Sequence, residues 1–233
     1  MRHTERNATK EPLVRRKIRA QSASLAAAVI PFGLAFGAAA SEAGLQHWQT
    51  AGFSLLVFTG SAQFAAVEIL DDGGGVAAAV TAGLLLNLRS VAFGLALVHA
   101  MPASWWKRAI AAQLMIDETA AVATVQPDRE TSRSAYWTAG LTLFTVWNIS
   151  TIIGATIIAS SADLIHDFGL DATVPAAFLA LLWPRLDDPA HQLVAGAAAV
   201  IAVVATPFVP AGLPVILSLI SVVPFIARRA RPT

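Results

Sequence analysis

The chain of 233 residues has no cysteine and few charges. Without cysteine there is no disulfide, no thiol nucleophile and no thiolate metal ligand. Charged residues make up only 13% of the chain. An ordinary soluble domain carries about 25%, so these charges are too few to cover a surface that faces water on all sides. The five histidines are scattered and form no ligand pair at helical spacing. No glycine-rich phosphate loop and no nucleophile motif occurs. These absences argue against an enzyme, against a bound cofactor and against direct use of ATP. Nothing points to nucleic acid as a partner.

Apolar sequence fills the space. Hydrophobic residues account for 56% of the chain and the mean hydropathy is +0.62. The pattern predicts an all-α, polytopic membrane protein with about eight transmembrane helices over 20–40, 50–70, 74–98, 103–125, 134–158, 172–183, 191–206 and 211–227. The sixth and seventh are short for a bilayer core, so broken or re-entrant segments are expected, and Pro175, Pro207, Pro210, Pro214 and Pro224 mark ends or breaks in that half. Two four-span halves would also suit an inverted repeat. Residues 1–19 form a basic tail, 20–227 the membrane domain and 228–233 a second basic tail. Ala38-Ala39-Ala40-Ser41 resembles a signal cleavage site. The apolar run before it is long for a signal peptide, however, and further spans follow, so a retained first helix is expected.

Charge sorting orients this arrangement. With both tails in the cytoplasm, most of the 16 Lys and Arg fall on the inner side. Lys107 and Arg108 fall outside, in conflict with the rule. Trp105 and Trp106 could anchor them at an interface. Alternatively, a re-entrant 50–70 segment would change the count.

Arg89 stands in the middle of the third span. A charge at that depth costs about 2.5–3.5 kcal/mol on insertion scales, so a partner is required. Asp117 and Glu118 lie in the next span. If the intervening turn centres near Ala103, Arg89 precedes it by as much as Asp117 follows it, which places both at one depth in an antiparallel pair. Adjacent helical residues point about 100° apart, so one acid can pair with Arg89 while the other faces a cavity. A structural ion pair that only locks two helices is the plainer reading.

Other polar and aromatic residues gather in the same layer. Asn87 precedes Arg89 by two positions. Ser61 and Gln63 lie in Thr59-Gly60-Ser61-Ala62-Gln63-Phe64, where unwinding at Gly60-Ser61 would expose backbone groups. Pro31-Phe32-Gly33 and Phe36-Gly37 could kink or divide the first span. Phe32, Phe36 and Phe64 could supply apolar contact. Asn148 is expected to hydrogen-bond another helix, Asp171 to cap one, and Asp187 and Asp188 to be solvated loop acids.

Taken together, five pieces in order resemble the AzlC family. They are Pro31–Gly37, Phe58–Phe64, Asn87-Leu88-Arg89, Asp117-Glu118-Thr119, and Gly169-Leu170-Asp171 with Pro175–Phe178. One departure is Ser90, where a histidine or similar residue would follow the arginine. The resemblance implies a bacterial inner-membrane permease that exports valine, leucine, isoleucine or methionine. It also implies a small AzlD-type membrane subunit as partner. Arg89, Asp117 and Glu118 would then handle charge. Ser61, Gln63 and Asn87 would contact the zwitterion, with Phe32, Phe36 and Phe64 along the apolar side chain. A channel or proton pathway, and a purely structural subunit, use the same residues without binding an amino acid.

Overall fold

The computed structural model describes residues 2–160, 179, 183, 186–209 and 213–224. Gly169–Asp171, Pro175–Phe178, Pro210, most of the 172–183 span and the 228–233 tail lie outside the described residues. Every element among the described residues is helical. Among the described residues, three helices are long and apolar enough to cross a membrane, covering Leu13–Glu42, Val76–Ala96 and Arg129–Ile158.

Helix α1 (Arg2–Glu42) runs without interruption through Pro31. The expected division of this span does not occur. Packing explains it, because Gly33 and Gly37, which follow the proline, lie against α8 (Arg129–Ile153). A Cβ at Gly33 would sit 2.6 Å from Ser150 Cβ, and one at Gly37 would overlap the Thr151 carbonyl. A Cβ at Gly154, in the π-helical turn Gly154–Ile158 that ends α8, would overlap the Leu34 carbonyl. Ser41 Oγ donates to the Ala155 carbonyl at 3.2 Å. Contacts therefore advance along both helices in the same direction. The two helices are parallel, with their N-termini at one end.

Local signals set the ends. Gly44 (φ +82°) closes α1 in a Schellman turn, with Leu45 N–H donating to Ala40 at 3.0 Å and Gly44 N–H to Ser41 at 3.0 Å. Gly73 (φ +77°) does the same for α3 (Gly60–Asp71), through Gly74 to Ile69 and Gly73 to Leu70. At the start of α8, Thr131 donates its backbone N–H (2.9 Å) and hydroxyl (2.8 Å) to Asp128. These bonds hold that carboxyl below the usual aspartate range.

The segments expected as the second and fourth spans each break and turn back. The first comprises α2 (His47–Leu56) and α3, separated by Val57-Phe58-Thr59. Phe53 on α2 and Phe64 on α3 both pack on Phe36, with ring centroids 5.9 and 5.6 Å away. Eleven residues of continuous helix would separate them by about 16 Å, too far for one ring to touch both. The second comprises α6 (Trp105–Gln113) and α7 (Asp117–Thr124), separated by Leu114-Met115-Ile116. Leu114 lies against Gly140, Ala111 accepts from the Tyr136 hydroxyl, and Ala123 accepts from Ser132 at 2.9 Å. Both directions away from Leu114 thus lead towards the N-terminal end of α8.

Between these pairs run α4 (Val76–Asn87) and α5 (Arg89–Ala96), a single path through Leu88 that is antiparallel to α3, since Thr59 meets Asn87 and Ala62 lies by Gly83. Further on, α9 (Pro189–Ala205) is N-capped by Asp188, which accepts from Ala190 N–H at 2.8 Å. Asp188 is therefore a helix cap, not a free loop acid. Helix α10 (Leu213–Ser218) and a 3-10 turn, Leu219–Val222, pack on α9.

The α1–α8 contact makes a direct prediction. Gly37→Ala and Gly154→Ala each force a methyl into backbone, and overpacking of this kind costs about 1–3 kcal/mol or more. Both should lower the thermal unfolding temperature in detergent. Gly52→Ala, where a Cβ meets nothing within 4 Å, should not.

Candidate functional site

The two helix breaks face one cavity of about 520 Å³. Thr59, Gly60 and Ser61 come from the first break, and Ile116, Asp117 and Glu118 from the second. Arg89 reaches in from the start of α5, and Phe32 from α1. Leu143 and Trp147 of α8 form the back wall, with Phe58 and Phe64 beside them. Ser61, Arg89, Asp117 and the adjacent Glu118 form its polar cluster, and apart from Gln21 and Thr59 the rest of the lining is apolar, with four aromatic rings. Both α3 and α7 begin at its edge, so two sets of unsatisfied backbone N–H groups and two positive dipole ends lie there.

Arg89 links the two breaks. One guanidinium nitrogen lies 3.1 Å from Asp117 Oδ2, and the other donates to Ser61 Oγ at 2.8 Å. The side chains of Arg89 and Asp117 are 42% and 29% exposed. This exposure means the pair borders open space rather than closed packing. Asn87 belongs to the same linkage, because its Oδ1 accepts from Thr59 Oγ1 at 2.8 Å. The second break is closed by Thr119, whose hydroxyl donates to the Leu114 carbonyl at 2.9 Å and accepts from Ile116 N–H at 3.0 Å. Glu118 lines the cavity and, among the described residues, forms no ion pair. Asp117 Oδ1 and Trp147 Nε1 are buried without hydrogen-bond partners.

Most of the residues singled out in the sequence meet here, but not all. Arg89, Asp117, Glu118, Ser61, Phe32 and Phe64 line the cavity, and Asn87 supports it through Thr59. Gln63 and Phe36 do not line it. Both are fully buried. Phe36 packs among Phe53, Phe64 and Trp147 behind the wall. The Gln63 side chain has no hydrogen-bond partner among the described residues. The expected unwinding at Gly60-Ser61 occurs just before it, at Val57–Thr59, and Gly60 starts α3. Asn148 donates to Phe144 in its own helix at 2.8 Å, not to another helix.

Two features escaped the sequence reading. The first is Trp147, beside the polar Asn148; a Cβ on Gly60 would lie 3.1 Å from its ring, so the absence of a side chain at Gly60 lets α3 start against it. The second is the break before Asp117. Two acids followed by a threonine are a helix-start signature, and they could have marked it.

An unequal role for the two acids is measurable as stability. Asp117→Asn removes the countercharge of Arg89, whereas Glu118→Gln removes no ion pair. Asp117→Asn should lower the unfolding temperature clearly more than Glu118→Gln. Equal losses would show that Glu118 also carries the arginine.

A family model described as AzlC protein matches residues 24–160, which include both helix breaks, Arg89 and Trp147. A Helicobacter pylori (strain ATCC 700392 / 26695) protein described as "Uncharacterized membrane protein" is 22% identical over 174 residues. The alignment covers 74% of this chain and 75% of that protein. No solved structure matches.

Proposed function

Because the chain belongs to the AzlC family, we propose that it is the permease subunit of a secondary transporter. Its substrates in this reading are branched-chain amino acids, namely valine, leucine and isoleucine, together with methionine, moved out across the bacterial inner membrane. Its partner would be a small AzlD-type membrane subunit, and both termini would be cytoplasmic. The proton gradient or the membrane potential would drive export, in keeping with the lack of a nucleotide-binding motif in the sequence.

The observation that carries this reading is the division of the cavity. A polar cluster offers Ser61, Arg89, Asp117 and Glu118, and the apolar lining offers Phe32, Phe58, Phe64 and Trp147. An amino acid with an apolar side chain has the same division. The volume lies within the range of about 300–1,000 Å³ typical of small-molecule sites. In the proposed pose the substrate carboxylate lies towards the N-terminus of α3 and the Arg89 guanidinium, where N–H groups and positive charge converge. The ammonium lies towards Glu118, the acid without an ion pair. The side chain rests on the aromatic wall. Glu118 would also be the group that exchanges a proton during the cycle.

The test is efflux from cells fed valine- or leucine-containing dipeptides, with the chain and its partner subunit expressed together. Deleting the chain should raise intracellular valine or leucine. Glu118→Gln should slow efflux on the order of 30-fold or more, which corresponds to the lower end of about 2–5 kcal/mol for truncating one partner of a buried charge pair. Unchanged efflux after deletion of both subunits would rule the proposal out. Efflux that neither saturates nor is competed by a second amino acid would point to a pore instead.

A further inference from the structure

We infer that α2–α3 and α6–α7 are re-entrant hairpins that enter from opposite faces of the membrane and meet at their tips, so that each closes the Arg89 site from one face. Length comes first. At about 1.5 Å per residue these four helices of 8–12 residues are about 12–18 Å long, half of a hydrocarbon core of about 30 Å. Among the described residues, the helices long enough to cross are α1, the α4–α5 path and α8 with the turn that ends it.

Direction comes second. Helices α1 and α8 are parallel and serve as a ruler. Both arms of the first hairpin rest on Phe36, towards the C-terminal ends of α1 and α8. Both arms of the second lead from Leu114 towards the N-terminal end of α8. The hairpins therefore open at opposite ends. Their tips touch where Gln113 Nε2 donates to the Leu55 carbonyl at 2.9 Å. Arg89 spans the same junction, from Ser61 to Asp117. Non-helical backbone at this depth is tolerated only where protein or a wet cavity surrounds it, and both tips border the cavity.

Charge sorting is the third, independent line. If 50–70 and 103–125 each crossed the membrane, Lys107 and Arg108 would face the side opposite the N-terminus, against the positive-inside rule. As the mouth of a hairpin that opens at the N-terminal end of α8, they join the basic residues near the starts of the spanning part of α1 (Leu13–Glu42) and of α8, including Arg15, Arg16, Arg129 and Arg133. Glu42, Asp71 and Asp72 lie at the other end. The conflict disappears without moving any other Lys or Arg, and only the acids Asp71 and Asp72 change face, away from the basic side.

The absence of cysteine makes the test direct. Single cysteines replace Glu42, Asp72, Lys107 and Glu130, all exposed, in the full chain in membranes. They are then labelled with a membrane-impermeant maleimide before and after permeabilisation. Lys107→Cys should label from the same side as Glu130→Cys. Asp72→Cys should label from the opposite side, with Glu42→Cys. Lys107→Cys labelling with the Glu42 and Asp72 set, or Asp72→Cys labelling with Glu130→Cys, overturns the topology. A cysteine at Ala121, on the cavity wall, reads the closure. Adding Gln113→Ala, which breaks the tip-to-tip hydrogen bond, should speed its labelling several-fold. An unchanged rate removes the tips from closure. None of these readings needs a substrate, so they stand or fall apart from the export proposal.

Discussion

The guanidinium of Arg89 is the junction on which the described architecture depends. It sits on a crossing helix path and bonds to one residue from each reversed helix pair, Ser61 and Asp117. Removing a charge from water, even in part, is costly, and an ion pair offsets that cost only with good geometry and further hydrogen bonds. Here the further bond comes from a different element. Satisfying the charge therefore requires both helix pairs to be in place, and electrostatics enforces an assembly that packing among small apolar residues would leave loosely specified. Two residues before each of Ser61 and Arg89, Thr59 donates to Asn87 and ties the first pair to the crossing path a second time.

The ion pair between Arg89 and Asp117 was legible from sequence, but one step in that reading does not hold. Equal distances from a turn near Ala103 put the two residues at one depth by assuming continuous antiparallel helices. In the structure the chain reaches Asp117 after a reversal at Leu114–Ile116. The need for a countercharge narrowed the partner to Asp117 or Glu118, the structure places Asp117 there, and the path to it is different. Hydropathy has no power to separate a crossing helix from two half-length helices with apolar sequence throughout. For that reason 50–70 and 103–125 read as spans.

Glycine and proline were legible in kind more than in place. Pro31 suggested a break, yet α1 continues because the residues after it are clamped to α8. Gly44 and Gly73 end helices as their left-handed backbone requires. Residues of mixed character were the least legible. Gln63 looked like a ligand contact because an amide in an apolar span needs partners, and it is instead buried off the cavity. Trp147 drew no attention as an apolar residue in an apolar helix. Only the fold shows that it faces the opening between the helix breaks.

The backbone-to-backbone seam between α1 and α8 has a mechanical meaning. At Gly37 and Gly154 each helix rests on carbonyls of the other, with no side chain between them to rotate or repack. To slide along this seam, one helix would have to ride over the oxygen atoms of its neighbour. The two longest helices thus behave as one stiff spar, against which shorter, interrupted segments can shift without loosening the whole. Relative motion is thereby left to the segments mounted on that spar, and while Arg89 holds both Ser61 and Asp117 the two helix breaks move together.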